Sequence, residues 1–426
     1  MGQLNIALLS YRSNPHVGGQ GIYLRHLTRE LAALGHRVEV FSGQPYPNLD
    51  PGVHLTKVPS LDLFAEPDPF RNPRPSEFRD RIDIEEWARM RTGAFPEPLT
   101  FARRVVKLLR ARADEFDIVH DNQTLAPPIL AVETFGLPLI TTLHHPISFD
   151  RRIELAAAKG GGWRGFKKRF GLRRWYSFVR MQAKVAQQLS VVITPSESSR
   201  RDIATEFGVD LARTKSILLG VDDKFVPPTA PRVPGRIIAM ASADAPMKGI
   251  ATLLEAFAKL RTERDIELVL VTKPVSGGRT EKMIDQLAIA DSVRFVSGIS
   301  DGELVELMGS AEIACVPSLY EGFSLPTAEL MACSTPLVAS RAGAIPEVTG
   351  PSGEAATLVE PGDVNELAAA IAELLDDPAK RAAYGAAGRA RVERLFSWRA
   401  VAMKMTSAYE DAIAAYRKEH DADRRL

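Results

Sequence analysis

The first fifty residues alternate between short apolar runs and one amphipathic stretch. Residues 5–10 form an apolar run that predicts a strand, and residues 22–34 carry apolar side chains at helical spacing. Gly35 predicts the end of that helix, and residues 37–41 predict a second strand. A strand, a helix and a strand in this order predict a parallel sheet covered by helices.

The same alternation recurs in both halves of the chain. The further strands that it predicts are 117–120, 137–143, 191–194, 237–240, 267–271, 293–296 and 313–316, with a helix at 251–260. Four prolines between 221 and 234 predict the junction between the halves, and a proline- and charge-rich stretch, 59–98, predicts an excursion with a helical centre at 84–90. The pattern predicts two doubly wound α/β domains with ligands at the carboxyl ends of the strands.

Composition narrows the class of protein. A chain of 426 residues with 45% hydrophobic and 25% charged residues is typical of a globular protein of two or three domains. The net charge of +1 gives no global field for nucleic acid or membrane, and no RNA-binding motif is present. The two cysteines lie in apolar runs and predict buried free thiols. The sequence shows neither a secretory signal nor an apolar run of about 20 residues, so we expect a cytoplasmic protein.

The most informative segment is residues 318–329, which read Ser-Leu-Tyr-Glu-Gly-Phe-Ser-Leu-Pro-Thr-Ala-Glu. The segment follows a predicted strand and opens a helix predicted from Thr327, so its backbone N–H groups form an anion site suited to a diphosphate. Glu321 and Glu329 bracket the turn. Carboxylates repel phosphate but accept hydrogen bonds from vicinal sugar hydroxyls. The alternative is an acidic helix start that the helix dipole stabilises.

Glu321 and Glu329, separated by seven residues, resemble the E-x7-E signature of the large retaining glycosyltransferase family of GT-B fold (family 4 type, glycosyl transferases group 1). The resemblance extends over nearly the whole chain through motifs at 17–19, 141–144, 194–198, 220–222, 248–249 and 396–398. It implies two facing Rossmann-like domains. The two domains are an acceptor-binding domain at 1–220 and a nucleotide-sugar-binding domain at 221–398. A helix at 399–426 then returns to the first domain.

The resemblance also implies roles for individual residues. Glu329 would hold the ribose hydroxyls, Glu321 the hydroxyls of the transferred sugar, and Lys248 would neutralise the diphosphate as a point charge. His144 would contact the sugar near its reacting carbon, so the implied catalytic residues are His144, Lys248 and Glu321. The implied donor site also contains Gly18, Gly19, Gly298, Ile299, Gly322, Phe323, Ser324 and Leu325. Neither a metal nor a cofactor is expected, because cationic side chains and a helix end stabilise the leaving diphosphate.

One position departs from the family pattern. The family usually carries an arginine about five residues before the lysine, where this chain has Ala243. A phosphate donor is therefore missing. Lys273 and Arg279, which follow the strand predicted at 267–271, are candidates to replace it.

Residues 151–188 form a basic stretch with interleaved aromatic side chains. Such a mixture suits an anionic membrane surface, and it equally suits an anionic acceptor such as a phosphorylated lipid. The alternative is a long helix with a solvated basic face and an aromatic core face. The candidate acceptor or membrane residues are His16, Arg164, Lys167, Lys168, Arg169, Arg173 and Arg174.

The expected function is metal-independent transfer, with retention, of a hexosyl group from a UDP- or GDP-sugar to an acceptor hydroxyl. The sequence does not identify the acceptor, for which a lipid or glycolipid is one option. Two alternatives stay open. Sugar-nucleotide 2-epimerases share the GT-B architecture, so an isomerase is one, and the alanine at position 243 leaves room for a non-catalytic nucleotide-sugar-binding module.

Overall fold

A computed structural model of the chain describes residues 2–13, 19–65, 67–158, 162–240 and 244–423. The chain divides into two compact units. Unit 1 comprises residues 1–195, 199–218 and 398–426, and unit 2 comprises residues 196–198 and 219–397. In the described ranges, no helix combines the length and the apolar character needed to cross a membrane.

The sheet of unit 1 is parallel throughout and, in the described ranges, has seven strands in the order β3-β2-β1-β4-β5-β6-β7. The strands are β1 (Asn5–Ser10), β2 (Arg37–Ser42), β3 (His54–Lys57), β4 (Ile118–Asn122), β5 (Leu139–Thr142), β6 (Val192–Thr194) and β7 (Thr214–Ser216). The central strands are buried on both faces, which explains their continuous apolar runs.

Helices cover this sheet. They are α1 (Gly19–Ala33), α2 (Arg81–Arg91), α3 (Glu97–Ala111), α4 (Ser148–Ala157), α5 (Gly162–Trp175), α6 (Phe178–Ala186) and α7 (Glu197–Phe207). Leu9, Phe101 and Val192 belong to the apolar core between sheet and helices. The predicted excursion, residues 59–98, has a smaller apolar cluster of its own around Leu63 and Met90. In the same segment, the Asp80 side chain caps the start of α2.

Unit 2 repeats the architecture with a parallel sheet in the order β10-β9-β8-β11-β12-β13, six strands within the described ranges. The strands are β8 (Val233–Met240), β9 (Glu267–Val271), β10 (Val293–Val296), β11 (Ala311–Val316), β12 (Leu337–Ser340) and β13 (Ala356–Val359). The helices are α8 (Ile250–Arg261), α9 (Arg279–Gln286), α10 (Asp301–Ser310), α11 (Leu325–Ala332), α12 (Ile345–Thr349), α13 (Val364–Asp376) and α14 (Pro378–Leu395).

The last helix, α15 (Trp398–Asp423), belongs to unit 1 although it follows unit 2 in the chain. Polar contacts from its side chains fix it there. The Tyr409 hydroxyl lies 2.8 Å from Nδ1 of His120, and the Tyr416 hydroxyl donates to the Glu133 carbonyl oxygen at 2.6 Å. The predicted fold class, with two doubly wound α/β halves and a helix that returns to the first, is confirmed.

Two details differ from the sequence prediction. Four short strands were missed, namely β3, β7, β12 and β13. The basic stretch does not form one long helix but the separate helices α4, α5 and α6. Cys315 and Cys333 are buried free thiols, as predicted.

Candidate functional site

The turn between β11 and α11 has the geometry of an anion site. Helix α11 begins at Leu325, and Ser324 before it adopts a left-handed backbone with φ of 77°. The N–H groups of Ser324 and Leu325 therefore lie where no intrahelical acceptor exists, and Pro326 in the first turn has no N–H to satisfy. The Ser324 hydroxyl lies 2.8 Å from that of Thr327, which fixes this strained residue. Phe323 is buried beneath the turn.

Lys248 and Glu321 meet directly at the carboxyl edge of the unit 2 sheet. The Lys248 ammonium lies 2.8 Å from Oε1 of Glu321, and the Ser318 hydroxyl donates to the same oxygen at 2.7 Å. Both charged side chains keep some exposure, 31% for Lys248 and 11% for Glu321. Both groups therefore remain accessible to a ligand.

Two glycines allow the loops that carry this ion pair to touch. Gly249, which follows Lys248, has φ of 66°, and a side chain there would overlap the Pro317 carbonyl oxygen. The Leu319 N–H donates to the Met247 carbonyl oxygen at 2.7 Å, which ties the two loops together. Gly343 makes a similar close approach to the backbone of Glu321. Glycine is required at both positions because any β-carbon would separate these backbones.

Glu329 lies in α11, one helical turn beyond the anion site. Burial raises the pKa of its carboxyl group to about 7, and the carboxylates of Asp222 and Asp301 act in the same direction against the nearby Lys224. Lys224 itself is paired with Asp301 at 2.7 Å. The carboxyl group of Glu329 therefore gains or loses its proton close to neutral pH. A ligand whose hydroxyls donate hydrogen bonds to the carboxylate favours the ionised form.

Of the remaining predicted donor residues, Gly298, Ile299 and Gly322 lie in unit 2. Gly298 follows β10 with φ of 71° and open space around its α-carbon, and Ile299 beside it is half-buried. Gly322 is half-buried in the turn. Gly19 is exposed at the start of α1 in unit 1, while Gly18 lies outside the described residues.

The segment around position 243 is only partly described, and Ala243 lies outside the described residues. Asp244, the next residue, accepts a hydrogen bond from the Thr280 N–H at 2.9 Å at the start of α9. Although burial acts in the opposite direction, hydrogen bonds from Thr280 and the Arg279 backbone lower the pKa of Asp244. Lys273 and Arg279 are exposed, and the Arg279 charge lies near Asp244.

In unit 1, His144 follows β5 and is held as a neutral group. Burial, with His145 and His120 adding to it, lowers the pKa of His144 to about 3. Its Nε2 lies 2.8 Å from Oδ1 of Asn122, and its backbone N–H donates to Oε1 of Gln123 at 2.7 Å. An uncharged imidazole can exchange hydrogen bonds with a hydroxyl, but it cannot supply a positive charge.

His120 is part of the core. Its ring is fully buried, and both nitrogens are engaged, by the hydroxyls of Tyr409 at 2.8 Å and of Thr142 at 2.7 Å. His145, by contrast, is partly exposed and lies 3.0 Å from Asp150. His16, a candidate acceptor residue, lies outside the described residues.

The basic residues of α5 have different surroundings. Lys167, Lys168 and Arg173 are exposed, while Arg174 donates to the Thr92 carbonyl and Arg169 lines a cavity with two other arginines. The Arg164 side chain lies outside the described residues. The same helix exposes three aromatic side chains at helical spacing, Trp163, Phe166 and Phe170, with exposed fractions of 69%, 60% and 67%.

Sequence reasoning missed the residues that hold the predicted ones in place. Ser318 orients Glu321, and Asn122 and Gln123 hold His144. The position of each of these supporting residues in the sequence indicated a place at the site. Ser318 lies three residues before Glu321, and Asn122 and Gln123 follow a predicted strand at the edge where ligands of parallel sheets bind.

Comparison with known proteins agrees with this geometry. The family model described as Glycosyltransferase Family 4 matches residues 17–225, and the model described as Glycosyl transferases group 1 matches residues 222–391. The chain is 55% identical over 412 residues to the "MMP alpha-(1->4)-mannosyltransferase" of Mycolicibacterium hassiacum, a match that covers 96% of this chain and 99% of the relative.

More distant proteins show the same relationship. The chain is 29% identical over 440 residues to a glycogen synthase of Mycobacterium tuberculosis, covering 99% of this chain and 98% of the relative. Among solved structures, sucrose-phosphate synthase from Thermosynechococcus elongatus superposes with a TM-score of 0.72 at 25% identity, covering 97% of this chain and 100% of that chain. The chain therefore belongs to the glycosyltransferases of family 4 and group 1, and it is an enzyme that transfers a sugar.

Proposed function

We propose that the chain is a retaining mannosyltransferase that forms an α-(1→4) linkage from a nucleoside diphosphate mannose. The observation that carries the proposal is the 55% identity, over nearly the full length of both chains, to an α-(1→4)-mannosyltransferase. The site in unit 2 supports it, because the turn before α11 offers N–H groups to a diphosphate beside Lys248 and two carboxylates. GDP-mannose is the first donor to test and UDP-sugars are the comparison.

The proposed reaction exchanges one bond for another at the anomeric carbon. The bond from C1 of the mannosyl group to the diphosphate oxygen breaks, and the acceptor hydroxyl oxygen forms a new bond to C1 on the same face. The acceptor proton passes to the departing diphosphate oxygen. An α-linked donor that yields an α-linked product has retained its configuration.

In this proposal the side chains of unit 2 stabilise the leaving group and orient the sugar. Lys248 is paired with Glu321 by 2.8 Å, so an incoming diphosphate competes for the ammonium group. Once the diphosphate draws Lys248 towards it, the Glu321 carboxylate is available to the sugar hydroxyls. Lys248 and the start of α11 then stabilise the charge that develops on the diphosphate.

Glu329 is assigned to the ribose hydroxyls, and His144 to a contact with the transferred sugar. A carboxylate can accept two hydrogen bonds from vicinal hydroxyls, which suits a ribose. His144 is neutral, so its proposed contribution is a hydrogen bond rather than a charge.

The first experiment supplies GDP-mannose with a short α-(1→4)-linked mannose oligosaccharide and follows the gain of one hexosyl unit by mass spectrometry. A 4-deoxy acceptor is the matched control, since it lacks the hydroxyl that the proposal uses. Anomeric coupling in the NMR spectrum of the product tests retention. A β-linked product would contradict retention, and the absence of mannosyl transfer from every mannose nucleotide would contradict the donor assignment.

The same assay separates the rival functions, which the comparisons do not favour. Donor incubated alone should stay intact or hydrolyse slowly, whereas an epimerised nucleotide-sugar would identify an isomerase. Donor binding without turnover across an acceptor panel would identify a binding module.

We also propose that transfer needs neither a metal nor a cofactor. Lys248 and the N–H groups before α11 supply the positive electrostatic potential that a divalent cation supplies elsewhere. Activity after treatment with EDTA should equal that of untreated enzyme. A loss that Mg²⁺ or Mn²⁺ restores would overturn this assignment.

The phosphate contact left open by Ala243 is assigned to Arg279 or Lys273. Arg279 opens α9, whose start is tied to Asp244 by a 2.9 Å hydrogen bond. An alanine at the responsible position should raise the donor KM or lower kcat. Two variants with unchanged kinetics would exclude both residues.

The cellular setting stays a prediction as well. We place the enzyme in the cytoplasm, with an acceptor that a lipid can carry and with α5 against the anionic inner face of the cell membrane. The three exposed aromatic side chains on α5, beside Lys167 and Arg173, support the membrane contact.

A further inference from the structure

A cavity of about 380 Å³ lies in unit 1 between helices α4, α5 and α7. Its volume is in the range of small-molecule binding sites. Three arginines, one glutamate and three smaller side chains line it, namely Arg151, Arg152, Arg169, Glu206, Ser148, Leu155 and Ala156. This cavity is separate from the residues assigned to the donor in unit 2.

The charges around the cavity do not balance. Arg152 forms an ion pair with Glu206, so the single carboxylate of the lining already has a partner. In the described part of the chain, neither Arg151 nor Arg169 has a carboxylate at ion-pair distance. Three guanidinium groups against one carboxylate leave two positive charges facing the space.

Arg169 provides an independent sign that a ligand is missing. Its Nε atom is buried and, among the described residues, has no hydrogen-bond partner. A buried guanidinium N–H without an acceptor is costly, because it has lost water and gained nothing in exchange. An anion in the cavity would satisfy this donor.

We propose that this cavity binds a phosphate monoester or inorganic phosphate. A phosphate carries between one and two negative charges near pH 7, which matches the two unbalanced guanidinium groups, whereas a carboxylate would neutralise only one. The planar guanidinium fork fits the oxygens of a phosphate in a bidentate arrangement. The proposal does not depend on the identity of the transferred sugar.

The first test measures thermal unfolding of the full chain in inorganic phosphate and in sodium chloride at equal ionic strength. Phosphate at ten times its Kd should raise Tm by roughly 2 °C more than chloride does. The donor site also attracts phosphate, so the measurement is repeated in Lys248→Ala, where the stabilisation should persist. An equal response to phosphate and chloride in that variant would overturn the proposal.

Matched variants assign the effect to the cavity. Arg169→Gln should weaken phosphate binding at least tenfold, and Arg169→Lys, which keeps the charge but loses the fork, should weaken it less. Lys184→Gln removes the same charge from an exposed position on α6 and should leave the affinity within twofold. Equal losses in Arg169→Gln and Lys184→Gln would show general charge screening and contradict a built site.

Two further probes distinguish the source of the phosphate. Mannose 1-phosphate presents a soluble monoester, and vesicles with phosphatidic acid present the same group on a lipid, with phosphatidylglycerol vesicles as the diester control. A soluble ligand predicts that Arg169→Gln weakens binding of mannose 1-phosphate alone. A lipid headgroup predicts that the variant also lowers binding to phosphatidic acid vesicles but not to phosphatidylglycerol vesicles. If neither monoester binds in a manner that depends on Arg169, the cavity is not a phosphate site.

Discussion

At the carboxyl edge of the unit 2 sheet, Lys248 and Glu321 form an ion pair 2.8 Å long. At the carboxyl edge of the unit 1 sheet, burial lowers the pKa of His144 to about 3, and burial likewise raises the pKa of Glu97 to about 8 although Arg12 opposes it. The unit 2 edge thus carries opposed charges within reach of solvent, whereas His144 and Glu97 at the unit 1 edge are both neutral near pH 7.

The difference agrees with the roles proposed above for the diphosphate and for the sugar hydroxyls. A nucleotide-sugar donor brings a diphosphate, which needs positive charge and N–H groups, and unit 2 provides both. Sugar hydroxyls, in contrast, need hydrogen-bonding partners rather than charge. The neutral His144 beside Asn122, which we assign to the transferred sugar, is a partner of that kind. The predictions below test whether charged side chains are needed for activity in unit 2 but not at the carboxyl edge of unit 1.

The largest expected effect follows from removing the positive charge of unit 2. Lys248→Ala should lower kcat by about 10²–10³, the usual loss when one group that stabilises developing charge is deleted. Lys259→Ala, which removes an exposed lysine from α8, is the matched control and should keep wild-type rates. Steady-state kinetics with saturating donor measures both. A loss below about tenfold in Lys248→Ala would remove this lysine from the leaving-group assignment.

The second effect concerns the close backbone contact between Gly249, the residue after Lys248, and Pro317. Gly249→Ala should destabilise the protein by about 3 kcal/mol or more, because the left-handed backbone alone costs about 1–2 kcal/mol and the β-carbon also overlaps the Pro317 carbonyl. Gly298→Ala has a similar positive φ but open space, so only the backbone cost applies. The difference between the urea midpoints of the two variants measures the cost of the overlap with the Pro317 carbonyl. Identical midpoints would show that the two loops move apart without cost.

The third effect is a contrast in pH dependence between the two units. The pKa of Glu329 is raised to about 7, and donor hydroxyls prefer its ionised form, so donor affinity should fall about tenfold as pH drops from 8 to 6. Glu329→Gln should remove this pH dependence and bind donor weakly throughout. Glu97→Gln in unit 1 should leave donor KM unchanged at every pH. A wild-type donor KM that is flat from pH 6 to pH 8 would contradict the ribose assignment of Glu329.

The same two variants have a stability signature whose sign is fixed. A carboxyl group with a raised pKa destabilises the folded state progressively as pH rises from its unfolded value, near 4.5, through its folded value. The stability advantage of each variant over wild type should therefore be absent at pH 4 and grow above about pH 4.5. It should reach its full size above about pH 7 for Glu329→Gln and above about pH 8 for Glu97→Gln. Thermal unfolding across this range measures it, and a variant that gains nothing at high pH would show that its carboxyl group titrates normally.

The sequence predicted most of the fold because apolar periodicity is strong where strands are buried. Strands β1, β9 and β10 have the predicted bounds. Strand β3 was missed because it is a short edge strand of mixed polarity, His-Leu-Thr-Lys, with no buried residue. Strand β12 was missed for a different reason, since its four buried residues are too few to establish a period.

The candidate site could be located but not assembled from the sequence. Glu321 and Glu329 share one segment, so spacing alone placed them on one turn and its helix. The contact between Lys248 and Glu321 joins loops that are 73 positions apart, and it depends on the close approach at Gly249, which no local pattern reveals. The cavity lined by Arg151 and Arg169 was also beyond prediction, because the basic stretch folds into three helices rather than one.

The smallest expected effect is on membrane binding by unit 1, where α5 exposes Trp163, Phe166 and Phe170 beside Lys167. Vesicles that contain anionic lipid should bind the enzyme a few times more strongly than neutral vesicles at low salt, because each basic residue near the surface contributes about 1 kcal/mol and salt screens it. Replacing the three aromatic residues by serine should lower vesicle binding by a few fold and leave kcat on a soluble acceptor unchanged. Lys259→Ala in unit 2 serves as the charge control and should bind vesicles like wild type. Co-sedimentation measures the bound fraction. Equal binding to neutral and anionic vesicles, or an aromatic variant that sediments like wild type, would show that this face of unit 1 does not contact the membrane.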